Sequence, residues 1–201
     1  MIGTCNKCGN HKWDKIINDG KVICPECNNS WSYRALPLFI LSGCSGVGKT
    51  TTGIEIMRRQ TDVVVLDADI FCGVQNACTE DGYRRRIDTL ESLSRNIAQC
   101  GKPVLWTVAG NLDMIPHSYN AQFFSDIHCL VLVTDEGSLR ERMTVGRGIT
   151  DKSWIEGSVG YNKYLGEHDH IGELSYDRLD ITGKSPDEVA DEVISWYREY
   201  L

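Results

Sequence analysis

The chain has 201 residues, 41% hydrophobic and 24% charged, a soluble globular balance with room for one ordinary domain and a small module. No apolar run approaches the roughly 18 residues that span a bilayer, and Met1-Ile2-Gly3-Thr4 opens no signal peptide, so a cytoplasmic protein without membrane partners is expected. Of the formal charge of −7, residues 1–34 carry +2 (five Lys/Arg against three acids) and the rest −9, an acidic body without the basic footprint of a non-specific nucleic-acid binder.

The first predicted unit, residues 1–34, rests on Cys5-Asn6-Lys7-Cys8-Gly9 and Cys24-Pro25-Glu26-Cys27-Asn28. These look like the two knuckles of a zinc ribbon. Gly9 and Asn28 stand just past the second thiol of each pair, where a tight turn takes positive φ. Four thiolates at this spacing close a tetrahedral site and leave no position for substrate, so structural zinc is expected on Cys5, Cys8, Cys24 and Cys27. Iron in rubredoxin-type knuckles is the alternative. About 30 residues bury too little apolar surface to order themselves, and structural zinc contributes on the order of 10–16 kcal/mol. Lys15-Ile16-Ile17 and Lys21-Val22-Ile23 predict two short strands around the hairpin turn Asn18-Asp19-Gly20. The module reads as a structural annex or dimer contact. Alternatively, Trp13, Trp31 and Tyr33 with the nearby lysines would stack on nucleic-acid bases.

Ser32 to Pro37 forms the junction, and residues 38–201 read as a second unit that alternates strands and helices. Strands are predicted over 38–42, 62–66, 103–108, 127–133 and 178–182. Helices are predicted over 49–60, 84–100, 115–124, 137–145, 153–165 and 186–200. Between the first strand and first helix lies Gly43-Cys44-Ser45-Gly46-Val47-Gly48-Lys49-Thr50, a complete G-x-x-x-x-G-K-[ST] phosphate loop. Its backbone N–H groups, with Thr51 opening the helix, are placed to cradle a polyphosphate. Lys49 supplies a point charge to the β- and γ-phosphates, and Thr50 can ligate Mg²⁺. The scattered Cys44, Cys72, Cys78, Cys100 and Cys129 are expected to be small buried hydrophobes. Cys44 is held open as a reactive thiol, because a helix N-terminus lowers thiol pKa.

The second predicted strand runs into Asp67-Ala68-Asp69. Carboxylates at a strand's C-terminal end stand where ligands bind in such sheets. With this strand beside the first, one acid can hold Mg²⁺ through water and the other can take a proton from a substrate hydroxyl. Here the chain resembles the small P-loop kinases, the family that includes shikimate, gluconate and adenylylsulfate kinases. The resemblance covers about 38–201. It implies a doubly wound parallel five-stranded α/β sheet of the P-loop NTPase, nucleoside/nucleotide-kinase-like kind, behind a small four-cysteine zinc ribbon. It also implies Asp67 in the Mg²⁺ shell and Asp69 as general base or substrate-hydroxyl contact.

Arg84, Arg85 and Arg86, at the expected start of a helix, occupy that family's acceptor region. Cations there oppose the helix dipole, so a compensating anion or a plain exposed basic face is expected. Asn111 follows the third strand, which lacks a terminal acid. After the fourth strand, Ser138 to Gly148 looks like the helix and lid entry of nucleotide kinases, where Arg142 and Arg147 would close on the transferring phosphoryl group. Their spacing is one residue longer than the adenylate-kinase pattern. Arg140 is expected at the surface with an i,i+4 partner. Thr150 to Gly172 would complete a mobile lid, its His168-Asp169-His170 an exposed polar loop rather than a metal site. Leu179 to Pro186 is similar to the base-contacting loop of these kinases, and Ser185, Pro186 and Glu188 predict a capped last helix.

The leading expectation is an ATP- and Mg²⁺-dependent phosphotransferase acting on a hydroxyl or phosphate of a small molecule or nucleotide. A polynucleotide or tRNA kinase with the ribbon as clamp is the second reading, and an ATP-gated binding protein the third. No Asn-Lys-x-Asp guanine motif is present.

Overall fold

The computed structural model describes residues 2–59, 62–71 and 79–201; Cys72, Cys78 and the expected end of the first helix at 60 lie outside them. The ribbon sheet is antiparallel and contains β1 (Ile16–Asn18), β2 (Lys21–Ile23) and β3 (Ser30–Ser32) in that order. Asp19 and Gly20, both at positive φ, close the β1–β2 hairpin as a two-residue loop of this kind requires. β3 is a strand beyond the two expected.

The chain then crosses to β4 (Leu38–Gly43), buried at every position. α1 (Lys49–Arg58), β5 (Val64–Asp67), α2 (Glu80–Ala98), β6 (Val104–Thr107), β7 (Ile127–Val133), α3 (Glu136–Glu141) and α4 (Lys152–Glu167) follow. A hairpin of β8 (His170–Ile171) and β9 (Leu174–Ser175) precedes β10 (Asp177–Asp180) and α5 (Pro186–Arg198). The second sheet is parallel throughout, in the order β10-β7-β4-β6-β5. β4 is therefore central and β5 is an edge strand. β6 separates the Asp67 strand from the first, so the two are not neighbours in the sheet.

Side-chain alternation along the strands sorts the core into two layers. Phe39, Leu41, Leu105, Leu130 and Leu132 pack with Ile56 of α1 and with Val189, Val193 and Tyr197 of α5. Leu38, Ile40, Trp106, Val131 and Val133 pack with Ile87 and Leu90 of α2 and Leu165 of α4. Each such side chain contributes roughly 1.5–3 kcal/mol by leaving water. Buried Trp106 is also satisfied as a donor, its Nε1 lying 2.8 Å from Ser94 Oγ.

Two helix expectations are revised. The segment 115–124 is not an α-helix but follows one 3₁₀ turn (Leu112–Met114) with another (Tyr119–Phe123). Ser118 is extended (φ −74°, ψ 153°), which interrupts the run, and it starts a new turn by accepting from Ala121 N at 3.0 Å. α2 begins at Glu80 rather than 84, since Thr79 caps it by accepting from Gly82 N. The last helix has the expected capping box of Ser185 and Glu188.

The ribbon rests on α2 and the second 3₁₀ turn. Lys15 N donates to the Tyr119 hydroxyl at 2.7 Å, Trp13 stacks on Tyr119, and Tyr33 meets Phe123 edge-on. Ile2 and Val22 share a small apolar cluster with Phe123, against which Trp31 and Tyr33 also pack. The Arg95 guanidinium of α2 covers the Phe123 ring at 4.3 Å.

Candidate active site and metal centre

The phosphate loop joins β4 to α1 in a conformation that demands glycine. Gly43 has φ 141°, and a Cβ there would stand 2.7 Å from Leu132 O; Gly46 has φ 83°, and its Cβ would strike Met143 Cγ at 2.7 Å. Lys49 folds back over the loop, its Nζ donating to Gly43 O and Cys44 O at 2.9 Å each. Burial lowers the Lys49 pKa, while Cys44, Asp69 and Asp67 oppose that shift. Cys44 is buried, and burial pushes its thiol up to about 11. The expectation of a reactive Cys44 is thereby corrected: at the loop it offers its backbone, not a thiolate. Cys129 is buried as expected, whereas Cys100 is exposed.

An 860 Å³ cavity opens over the loop, lined by Ser45 through Thr52, by Asp67 and Asp69, and by Arg142 and Arg147. Although β5 is an edge strand, its C-terminal end reaches the loop: Thr50 Oγ1 donates to Asp67 Oδ2 at 3.2 Å. Asp67 Oδ1 accepts from Asp69 N at 2.9 Å, which starts a short 3₁₀ turn and turns the exposed Asp69 toward the cavity. A hydroxyl beside a carboxylate is a hard-oxygen donor set that fits Mg²⁺. Thr107, where β6 lacks an acid, lines the same wall, and its buried Oγ1 has no hydrogen-bond partner among the described residues. Nothing in its sequence context marked it.

The arginines arrive from the far side. After α3 the chain forms one π-helical turn, Arg142–Gly146, which holds an extra residue relative to an α turn. That turn absorbs the longer spacing: Arg142 Nη1 donates to Val47 O at 2.9 Å, and Arg147 Nη1 to Ser45 Oγ at 3.2 Å. Arg140 pairs with Glu136 and Glu156 at the surface, as expected.

Other expectations change. α4 packs on the sheet, with Asn162 Nδ2 donating to Thr134 O at 2.7 Å, so most of 150–172 is framework rather than a mobile lid. His168 stacks on Tyr164 and His170 pairs with Asp169, and among the described residues they join no metal-ligand cluster. Arg84, Arg85, Arg86 and Asn111 do not line the cavity. Because α2 starts at Glu80, its first turn carries Glu80 and Asp81, and the dipole argument for an anion at Arg84–Arg86 loses its basis. Arg84 pairs with Glu80, Arg86 is buried near the Tyr83 ring, and Asn111 takes a left-handed backbone ahead of a 3₁₀ turn.

In the ribbon, the sulfurs of Cys5, Cys8, Cys24 and Cys27 all lie within 4.8 Å of one another. Cys5–Cys27 is 3.6 Å and Cys8–Cys24 3.7 Å. Zinc–sulfur bonds of about 2.3 Å set tetrahedron edges of about 3.8 Å, so the donor set fits zinc, whereas a disulfide would need about 2.05 Å. Gly9 and Asn28 have the expected positive φ. Backbone N–H donation led by the Cys8 amide lowers the Cys5 pKa, whereas burial and the neighbouring sulfurs raise that of Cys8.

A parallel five-stranded sheet in this order, with a phosphate loop after its central strand, defines the P-loop kinase fold. The solved structures with this fold agree. A sugar kinase from Janibacter sp. HTCC2649 has a TM-score of 0.59 at 16% identity, covering 82% of this chain and 95% of its own. A gluconokinase from Sinorhizobium meliloti 1021 has 0.58 at 17%, covering 83% and 95%. The Mycobacterium tuberculosis APS kinase, solved with AMPPNP and APS, has 0.51 at 16%, covering 83% and 99%. No family model and no curated protein matches the chain.

Proposed function

We propose that the chain is an ATP-dependent phosphotransferase that moves the γ-phosphoryl group to a hydroxyl or phosphate of a small molecule or nucleotide. The observation that carries this reading is convergence: Lys49, the Thr50–Asp67 pair, Asp69 and two guanidinium groups meet over one cavity. The similar solved kinases, one of them holding AMPPNP, support ATP as donor.

On this reading the loop N–H groups from Gly43 to Thr51 hold the phosphates, and Lys49 leaves its carbonyl partners for the β- and γ-phosphates. Thr50 and Asp67 would hold Mg²⁺, which would supply charge neutralisation to the triphosphate. Asp69 orients the acceptor hydroxyl and takes its proton as the oxygen attacks phosphorus. The bond from phosphorus to the β-bridging oxygen breaks, and ADP leaves. Arg142 and Arg147 neutralise charge on the equatorial oxygens. Residues 1–34 form one module and 38–201 the kinase unit. Arg84, Arg85, Arg86 and Asn111 remain candidates for acceptor contacts only through movement toward the cavity.

The nucleic-acid clamp loses support, since Trp31 and Tyr33 pack in the seam and Lys12 and Lys15 are paired with Glu26 and Asp14. Transfer of labelled phosphate from ATP to a panel of metabolites and nucleotides tests the proposal. Asp69→Asn should lower kcat about 10²–10⁴-fold with little change in ATP affinity. Full turnover by that variant would remove the base assignment.

A further inference from the structure

Trp154 lines the cavity, yet the transfer chemistry above leaves it without a role. It is 47% exposed and belongs to neither core layer. Its position is nonetheless fixed. Asp151 caps α4 by accepting from Ser153 N at 2.8 Å and Trp154 N at 3.2 Å, and Asn162 ties the same helix to Thr134. The Arg147 guanidinium lies 5.7 Å from the indole centroid, and the same guanidinium donates to Ser45 Oγ. The indole is thus linked through one side chain to the start of the phosphate loop. Near the loop's end, Ile181 Cδ1 lies 4.0 Å from a Cβ built on Gly48, and Ile181, Lys184 and Pro186 form the wall that suits the donor's base.

Trp154 is therefore tied to the loop at Ser45, whereas that wall meets it at Gly48. Two further exposed apolar side chains stand next in sequence to lining residues: Ile70 (54% exposed) follows Asp69, and Val145 (80%) precedes Gly146. Small-molecule pockets run from about 300 to 1,000 Å³. At 860 Å³ this cavity lies near the top of that range, consistent with two ligands.

We propose that Trp154 is the platform on which the acceptor stacks, and that the acceptor is a ring-bearing alcohol rather than an open-chain polyol. The inference rests on the phosphotransferase reading for the word acceptor, but its first test does not need turnover. A ring offers the indole a flat face to cover, whereas an open chain would have to be ordered in order to cover it. Arg147 on one indole face leaves the other for the ring, in the same cavity that Asp67 and Asp69 line.

The experiment measures binding by calorimetry in saturating Mg–ADP, using hexoses, nucleosides and aromatic alcohols against glycerate and gluconate. Wild type, Trp154→Ala and Trp154→Phe are compared, together with their affinity for Mg–ATP. At least one ring-bearing probe should bind wild type, about tenfold more weakly in Trp154→Ala and within about threefold in Trp154→Phe. Mg–ATP affinity should stay within about twofold. The platform assignment falls if ring probes bind wild type and Trp154→Ala alike, if none binds at millimolar concentration, or if open-chain probes bind best. It also falls if Trp154→Ala weakens Mg–ATP about tenfold, which would give the indole to the donor. A bound ring probe that accepts no phosphate would leave the platform standing and sink the phosphotransferase reading instead.

Discussion

The ribbon and the α/β unit hold themselves together by different means. The α/β unit has two layers of buried side chains, one on either face of β4. The ribbon's apolar cluster contains only Ile2 and Val22 as buried residues of its own, and the cluster is completed by Phe123 from the other unit. Its order comes from four sulfurs, two knuckle turns and a borrowed seam. A small module can thus be precise in shape without a core, provided a metal and a neighbour supply what its surface area cannot.

This contrast is sharpest when the metal is removed. Chelation, or Cys24→Ser in the full chain, should release one zinc per chain and abolish amide protection across 16–32. Protection of β4 and β7 should persist. Metal analysis with hydrogen exchange checks this, and loss of protection throughout would mean that the two units fold as one. The converse experiment breaks the other unit: Phe39→Ala, beneath Trp196 and Tyr197, should cost about 3–5 kcal/mol in denaturant unfolding. The zinc should stay bound until that transition.

The third test is the gentlest and lies at the seam. Glu91 of α2 is buried, accepts from Ser118 Oγ, and burial raises its pKa to about 8. The unfolded side chain titrates near 4.5, so between pH 4.5 and 8 the folded state keeps a proton that the unfolded state has lost. Stability should therefore fall as pH rises through that window and level off above it. Because Ser118 begins the turn that carries Tyr119 and Phe123, the ribbon seam should loosen over the same range. Glu91→Gln should flatten the profile from pH 5 to 9 in thermal unfolding. An unchanged slope would place the sensitivity elsewhere.

Most of the donor side was legible in the chain because its signals are short. A glycine forced to positive φ, a lysine before a threonine, two C-x-x-C pairs and the Ser185–Glu188 box each act within a few residues. Two errors were local: Ser118 turns extended inside an expected helix, and Thr79 takes the cap of α2. The others came where a second segment decides. Trp31 and Tyr33 read as exposed base-stackers only while the surface that covers them was unknown.

What the amino-acid sequence determined by itself is therefore the phosphate loop, the Asp67–Asp69 pair, the cluster of four sulfurs and the alternation that makes an α/β sheet. Tertiary structure alone decided that β5 lies at the edge yet delivers Asp67 to Thr50, that a π turn aims Arg142 and Arg147 at one loop, and that Trp154 stands over the cavity. The physical reason is range. Backbone preferences and metal-ligand spacing are written in neighbouring residues, whereas strand order and the facing of side chains are settled by packing between segments far apart in the chain.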